Sequence, residues 1–327
     1  MRIAFLGHSY HGVTGSSRFM QAILGGIGSV AVFEDASWQG GAAVDVAAVL
    51  AGGFDAIHVW QMEQPLEALV AARPGVPIYW YPMQDSARHL GPEFWARVAP
   101  GARIIAFCRA VHEGAVRRGL DSAWFQYFPD PAGVAPVVAE DGVFCWPRRE
   151  EFGWPMLKRL LPVGYGGRVH LHDHADPGAV PPGMPDGAEI AGYGITLSRW
   201  FEDRGALDAM LAGFRVYVAP RLHEGIGMAF LEAMARGQCV VAAERPTMSE
   251  YITHGVNGLL FDPDRPAPVD LGEAVRLGER ARGLVALGHA RWQRDAAGRL
   301  LDALNAPAGA TLRGLAEPFR AVGAPRV

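Results

Sequence analysis

The chain has 327 residues, a formal net charge of −4 at pH 7, 50% hydrophobic residues and 20% charged ones. So apolar a chain is neither disordered nor collagen-like, its near-neutral charge argues against non-specific nucleic-acid binding, and its length suits two domains, each with its own core. Of its 30 basic residues only one, Lys158, is a lysine.

In chain order, Ile3–Leu6 reads as a short apolar strand. It runs into the loop GHSYHGVTGSS, and Arg18–Leu24 reads as a helix. Further strands are predicted at Val30–Phe33, Ala56–Trp60, Pro77–Tyr81 and Arg103–Phe107, with helices at Leu66–Ala72 and Phe94–Val98 between them. Short continuous apolar strands alternating with helices predict a parallel sheet covered on both faces. The Pro/Gly-rich stretch 129–142 reads as a linker. A second series follows, with strands at Val143–Trp146, Arg168–Leu171, Glu189–Ala191, Arg215–Ala219 and Cys239–Ala242. Its helices are expected at Pro155–Leu161, Arg204–Ala212, Met228–Arg236 and Met248–Thr253. The chain beyond Asp270 reads as mostly helical. Domain boundaries are drawn at 1–134 and 135–305, with a helical tail over 306–327 packing back toward the first domain. Two α/β domains joined by a linker imply a cleft between the carboxyl ends of their sheets, where open α/β folds take ligands.

Cys108, Cys145 and Cys239 are far apart and flanked by apolar runs, which reads as buried thiols in a reducing compartment. The opening MRIAFLG has no signal-peptide pattern, and no apolar run approaches the roughly 18 residues of a membrane span. A cytoplasmic location is expected, with peripheral contact at the inner face of the membrane left open.

The most informative stretch is Pro220–Gly237, PRLHEGIGMAFLEAMARG. A strand leads into a tight loop holding Glu224, Gly225 and Gly227, and Met228 opens a helix. Unpaired amides at a helix start make an anion seat, and glycines let the backbone approach a ligand closely. Glu232 lies in an otherwise apolar helix face, where its carboxylate needs donors. Two neighbouring ribose hydroxyls would supply them; so would a structural salt bridge.

The run EGIGMAFLEAMARGQCVVA, followed by SEYITHGVNGLLFDP at 249–263, resembles the signature of the family-4 retaining glycosyltransferases. The resemblance implies the GT-B fold: α/β, with two Rossmann-like domains facing each other across a deep cleft. It implies transfer of a sugar from a nucleoside-diphosphate sugar to a hydroxyl of a glycan, glycolipid or small metabolite. By the same resemblance Glu232 receives the ribose hydroxyls, and Glu224 lies against the donor sugar. The backbone of Gly225, Ile226, Gly227 and Met228 holds sugar hydroxyls and diphosphate, and Thr247–Glu250, with Glu250, closes around the donor. The nucleoside-diphosphate sugar is the donor co-substrate, and neither a resident cofactor nor a metal is expected.

The family's Arg-x4-Lys early in the second domain is incomplete. Arg148 or Arg149 fills the arginine place, but the next positions are not lysine, and Lys158 comes a turn later, where a solvated surface position is the better expectation. Arg221, where the family has serine, adds charge beside the loop. Gly15, in the first loop, is expected to face the donor phosphate, with His8 or His11 toward the acceptor. His170, His172 and His174 alternate, with Asp173 and Asp176 interleaved, and invite a zinc reading, less favoured than a structural one. His172 or Asp173 is placed near the base or sugar, and Gly192–Ser198 is read as a loop beside the nucleobase. The family's His after the fourth strand has only Asp85 and His89 as candidates. The missing lysine and histidine keep open a catalytically weak or inactive homologue that binds a nucleotide sugar or a partner glycosyltransferase.

Overall fold

The computed structural model describes residues 1–306 except Pro177 and Glu202, together with Leu312; of Val13 only the backbone is described. The described residues form two compact units. The first holds Met1–Gln126 with the chain from Trp292 onward, and the second holds Tyr127–Arg291.

In the first unit, β1 (Arg2–His8), β2 (Ser29–Asp35), β3 (Ala56–Trp60), β4 (Ile78–Tyr81), β5 (Ala102–Ala106) and β6 (Ser122–Trp124) form one sheet in the order β2-β1-β3-β4-β5-β6. Every pairing is parallel. The central strands are buried along their length because helices cover both faces. The three-residue β6 is too short to show a sequence pattern.

In the second unit, β7 (Val143–Cys145), β8 (Val169–His172), β9 (Ile195–Ser198), β10 (Val216–Val218), β11 (Cys239–Ala243) and β12 (Leu259–Phe261) pair in parallel in the order β12-β11-β10-β7-β8-β9. All three cysteines are buried free thiols.

Three readings change. Glu189–Ala191 is not a strand but part of the helix Gly187–Tyr193, started by a capping box in which Asp186 and Glu189 exchange side-chain and backbone hydrogen bonds. The stretch Gly192–Ser198 is not a loop throughout, since Ile195–Ser198 is the edge strand β9, with only Ile195 buried. Residues 129–142 are not a free linker. Val137 N–H donates to the Arg236 carbonyl at 2.9 Å, and Val138 N–H to that of Ala212 at 3.0 Å, so the second unit begins at Tyr127 rather than at 135.

The 22-residue helix Ala274–Asp295 carries the chain back to the first unit, where the Trp292 ring meets Phe19 and Phe107 at 5.7 and 6.1 Å. The Tyr79 hydroxyl then donates to the Leu304 carbonyl at 2.6 Å. The tail expected over 306–327 lies outside the described residues apart from Ala306 and Leu312. Among the described residues no helix is long and apolar enough to cross a membrane.

Candidate functional site

Strand order locates the site in each unit. In the second, the chain runs outward through β7, β8 and β9, then restarts at β10 on the other side of β7 and runs out to β12. The order therefore reverses between β7 and β10, whose following loops diverge and leave a crevice at their carboxyl ends. The β7 loop carries Arg148 and Arg149; the β10 loop carries Arg221–Gly227.

The β10 loop ends at Gly227, which caps the helix Met228–Arg236 at φ +80°, and a Cβ there would overlap the Phe230 ring. A side chain is excluded on both counts. Ile226 is buried beneath the loop. Arg221 Nη1 lies 3.5 Å from Glu224 Oε2, with both side chains mostly buried. Thr247, wholly buried at φ +49°, donates its hydroxyl to the Glu224 carbonyl at 2.7 Å and lies 3.2 Å from that of Gly225. Glu250 follows in the short helix Met248–Tyr251 after β11.

Glu232 stands one turn into the helix, 26% exposed, with Oε2 at 2.5 Å from Arg204 Nη2. Burial is the main reason the Tyr217 hydroxyl is held well above its usual value; Cys145, Glu224 and Glu232 add to the rise, and Arg148 opposes it. Arg148, Glu224 and Glu232, expected from sequence to share a site, thus all act on one buried tyrosine. Tyr127, pushed up to about 12 by burial, also feels Glu232.

Arg148 and Arg149 divide one carboxylate: Arg148 Nε lies 2.6 Å from Asp176 Oδ1, and Arg149 Nε 3.1 Å from Oδ2. Arg148 also lies over the Trp146 ring, 4.9 Å from its centroid, and is 19% exposed against 43% for Arg149. Asp173 stands beyond β8, 3.8 Å from Arg199. Lys158 is on the surface as expected, 2.8 Å from Glu189 on the helix Gly187–Tyr193.

The two strand histidines have other partners than a metal. His170 bonds Thr196 at 2.8 Å and Ser198 at 2.7 Å, and His172 bonds Ser198 at 2.9 Å. His174 lies beyond the end of β8. No group of three His, Cys, Asp or Glu is arranged to hold a metal among the described residues.

The first unit has its own reversal, between β1 and β3. Gly15 ends the helix Tyr10–Thr14 at φ +68° in the loop after β1. His8 and His11 line a groove of about 240 Å³ with Ser17, Arg18, Gln21 and Glu34. Burial pushes His11 down to about 4, His8 adds to the drop, and Gln61 and Asp85 oppose it. His89 is exposed. At the end of β3, Gln61 and Met62 take φ values of +68° and +41°, and the Gln61 carbonyl accepts the Trp80 indole at 2.6 Å.

Residues 198–277 match the family model for glycosyl transferases group 1. That span runs from the end of β9 past β12 and includes the glycine loop, Arg204, Glu232 and Thr247. The chain is also 35% identical over 199 residues to alpha-maltose-1-phosphate synthase of Mycobacterium tuberculosis, in each of two strains. The alignment covers 55% of this chain and 51% of the relative, so the chain spans about half the length of the curated relatives it matches. Among solved structures, HepE of Anabaena in complex with UDP and glucose superposes with a TM-score of 0.66 at 16% identity, over 92% of this chain and 100% of that one. Sucrose-phosphate synthase of Thermosynechococcus elongatus gives 0.69 at 16% identity, over 93% and 99%. The chain has the α/β GT-B fold, and the glycosyl transferases group 1 match lies within its second unit.

Sequence reading did not single out Arg204, the partner of Glu232, and noted Asp176 only beside the histidines, not as the partner of the two arginines. Each lies about 28 residues from its partner, and no short-range spacing signals such a pair.

Proposed function

We propose that the chain transfers a sugar from a nucleoside-diphosphate sugar to a hydroxyl acceptor with retention of anomeric configuration, as the family-4 resemblance implies. The observation that carries this reading is the β7–β10 reversal: the loop after β7 carries Arg148, and the loop after β10 is the glycine loop that leads into the helix of Glu232. In this reading the amides of Gly225–Met228 and the Arg148 guanidinium, aided by Arg149 and Arg221, stabilise the charge that develops on the leaving diphosphate. Glu224 orients the donor sugar. Glu232 accepts the ribose hydroxyls, about 6 Å along the helix from its first amide, given a 1.5 Å rise over four residues. Glu250 and Asp173 border the donor. With no carboxylate assigned as nucleophile, the acceptor hydroxyl attacks from the face the diphosphate leaves, and a diphosphate oxygen takes its proton. Catalysis is then positioning plus charge stabilisation, with no metal invoked. The protein is taken to work in the cytoplasm, with a peripheral role at the membrane or on a partner enzyme.

The test is turnover of UDP-, ADP- and GDP-sugars, UDP first because HepE was solved with it. Acceptors should include phosphorylated sugars, in view of the named relatives, and the anomeric configuration of the product is read by NMR. An α-linked donor giving an α-linked product that disappears in Glu232→Ala and Glu224→Ala is expected; inversion, or unchanged turnover in a folded Glu232→Ala, overturns the reading. The position of Lys158 favours one alternative, a homologue that binds donor without turnover, because the family's phosphate lysine has no counterpart there. Nucleotide-sugar binding without transfer to any acceptor would support it.

A further inference from the structure

The Arg204–Glu232 contact is one link in a longer chain of charges. Arg204 Nε lies 3.2 Å from Asp208 Oδ2, Asp208 Oδ1 lies 2.9 Å from Arg236 Nη2, and Arg236 Nη1 donates to the Ala135 carbonyl at 2.9 Å. Arg236 is wholly buried and sits on the same helix as Glu232, one turn on. Arg204 opens the helix Arg204–Ala212, whose N-cap Asp203 accepts from the amides of Gly205 and Ala206. The chain of alternating charge Glu232–Arg204–Asp208–Arg236 therefore links two helices and is anchored in the core at Arg236.

An unheld glutamate samples many rotamers and loses that freedom on binding. Here the cost is met before the ligand arrives. Each carboxylate oxygen offers two lone-pair sites, so Oε2 can keep Arg204 while the outward sites remain for hydroxyl donors.

We propose that Arg204 is the positioning residue for ribose recognition: held in turn by Asp208 and Arg236, it fixes the Glu232 carboxylate so that the site takes nucleoside diphosphates and rejects their 2′-deoxy forms. This rests on the reading that Glu232 binds the donor ribose. A site built to pair with a hydroxyl discriminates strongly against the analogue that lacks it, provided its acceptor is held in place. Without Arg204 the carboxylate turns to water, and the preference shrinks.

The experiment is calorimetry of the wild type, Arg204→Ala and Asp208→Asn with UDP, ADP and GDP, each beside its 2′-deoxy counterpart, and with inorganic diphosphate. Arg204 is more than half exposed, so its removal should leave thermal unfolding nearly unchanged. The expected result is a ribose preference in the wild type that falls about tenfold in Arg204→Ala and by a smaller factor in Asp208→Asn, with inorganic diphosphate bound equally by all three. A preserved preference in Arg204→Ala overturns the inference alone. So does tighter nucleotide binding in that variant, which would make Arg204 a cover over Glu232. A wild type that binds nucleotides without preferring ribose, or binds none, overturns both the inference and the role given to Glu232.

Discussion

The Thr247 hydroxyl donates to the Glu224 carbonyl at 2.7 Å and lies 3.2 Å from the carbonyl of Gly225. A trans peptide points its N–H opposite to its C=O. Two carbonyls gathered at one hydroxyl therefore turn the amides of Gly225 and Ile226 the other way, as an anion seat at this loop requires. The backbone of Thr247 is strained to do this, at φ +49° and ψ −49°. A non-glycine residue in so sparse a region costs on the order of 1–3 kcal/mol. Thr247→Gly should relieve that strain while losing a hydrogen bond of about 1 kcal/mol, leaving thermal unfolding within a few degrees of wild type. Transfer should still fall about tenfold or more, because the loop amides lose their orientation. Thr247→Ser, which keeps the hydroxyl, should retain most activity. A Thr247→Gly variant as active as wild type would show that the hydroxyl does not set the loop.

Lys158 gives a test that the composition itself makes possible. It is the one lysine in 327 residues and is paired with Glu189 on the surface. An amine-reactive reagent should modify this side chain and the terminal amine alone. Modification to completion, checked by mass spectrometry, should leave donor binding and transfer unchanged, as should Lys158→Gln. Loss of transfer on modification, prevented by bound nucleoside diphosphate, would return Lys158 to the phosphate site.

Acid stability should report the buried histidines. Burial pushes His58 down to about 3 and His11 to about 4; His172 also falls to about 4, by burial first and then by His174, His170 and Arg148. In the unfolded chain each returns to its ordinary value of about 6.5. The folded state thus binds fewer protons between these values, and stability rises with pH across the window. The contribution is complete above about 6.5 and is lost as pH falls toward 4 and 3. Urea unfolding at pH 7, 6, 5 and 4 should show a steady decline. His58→Gln keeps a partner for the Tyr81 hydroxyl, now 2.7 Å from the His58 ring, and should flatten the slope. An unchanged slope in that variant would assign the decline to other groups.

Much of the site was legible because its chemistry is local. Glu224, Gly225, Gly227 and Glu232 follow one strand and open one helix, so backbone geometry alone relates them. The central strands were legible as short apolar runs buried on both faces. Failures came where tertiary context decides. The helix Gly187–Tyr193 is seven residues long, and its capping box, Asp186 with Glu189, was the unused signal. The edge strand β9 leaves Thr196 and Leu197 exposed and lacks the buried run that marked its neighbours. Arg204 and Asp176 meet their partners only through packing.

The choice between Arg148 and Arg149, open in the sequence, can be argued from their surroundings. Both hold Asp176, so one negative charge offsets half of the pair. Arg148 is the more buried, lies over Trp146, and is felt at the buried Tyr217 hydroxyl together with Glu224 and Glu232. Arg149 is 43% exposed and lies in the bridge that pairs it with Phe152. A guanidinium held in a water-poor crevice acts on a developing diphosphate charge far more strongly than one screened by solvent. Arg148→Ala should therefore lower transfer by 2–4 kcal/mol in transition-state terms, roughly the loss seen on removing one such donor, and Arg149→Ala by about 1 kcal/mol or less. Arg148→Lys should recover only part, since an ammonium cannot hold Asp176 and a phosphate oxygen with one planar fork. Steady-state kinetics with saturating acceptor measure both variants. Equal losses, or the larger loss in Arg149→Ala, would move the diphosphate to the outer arginine.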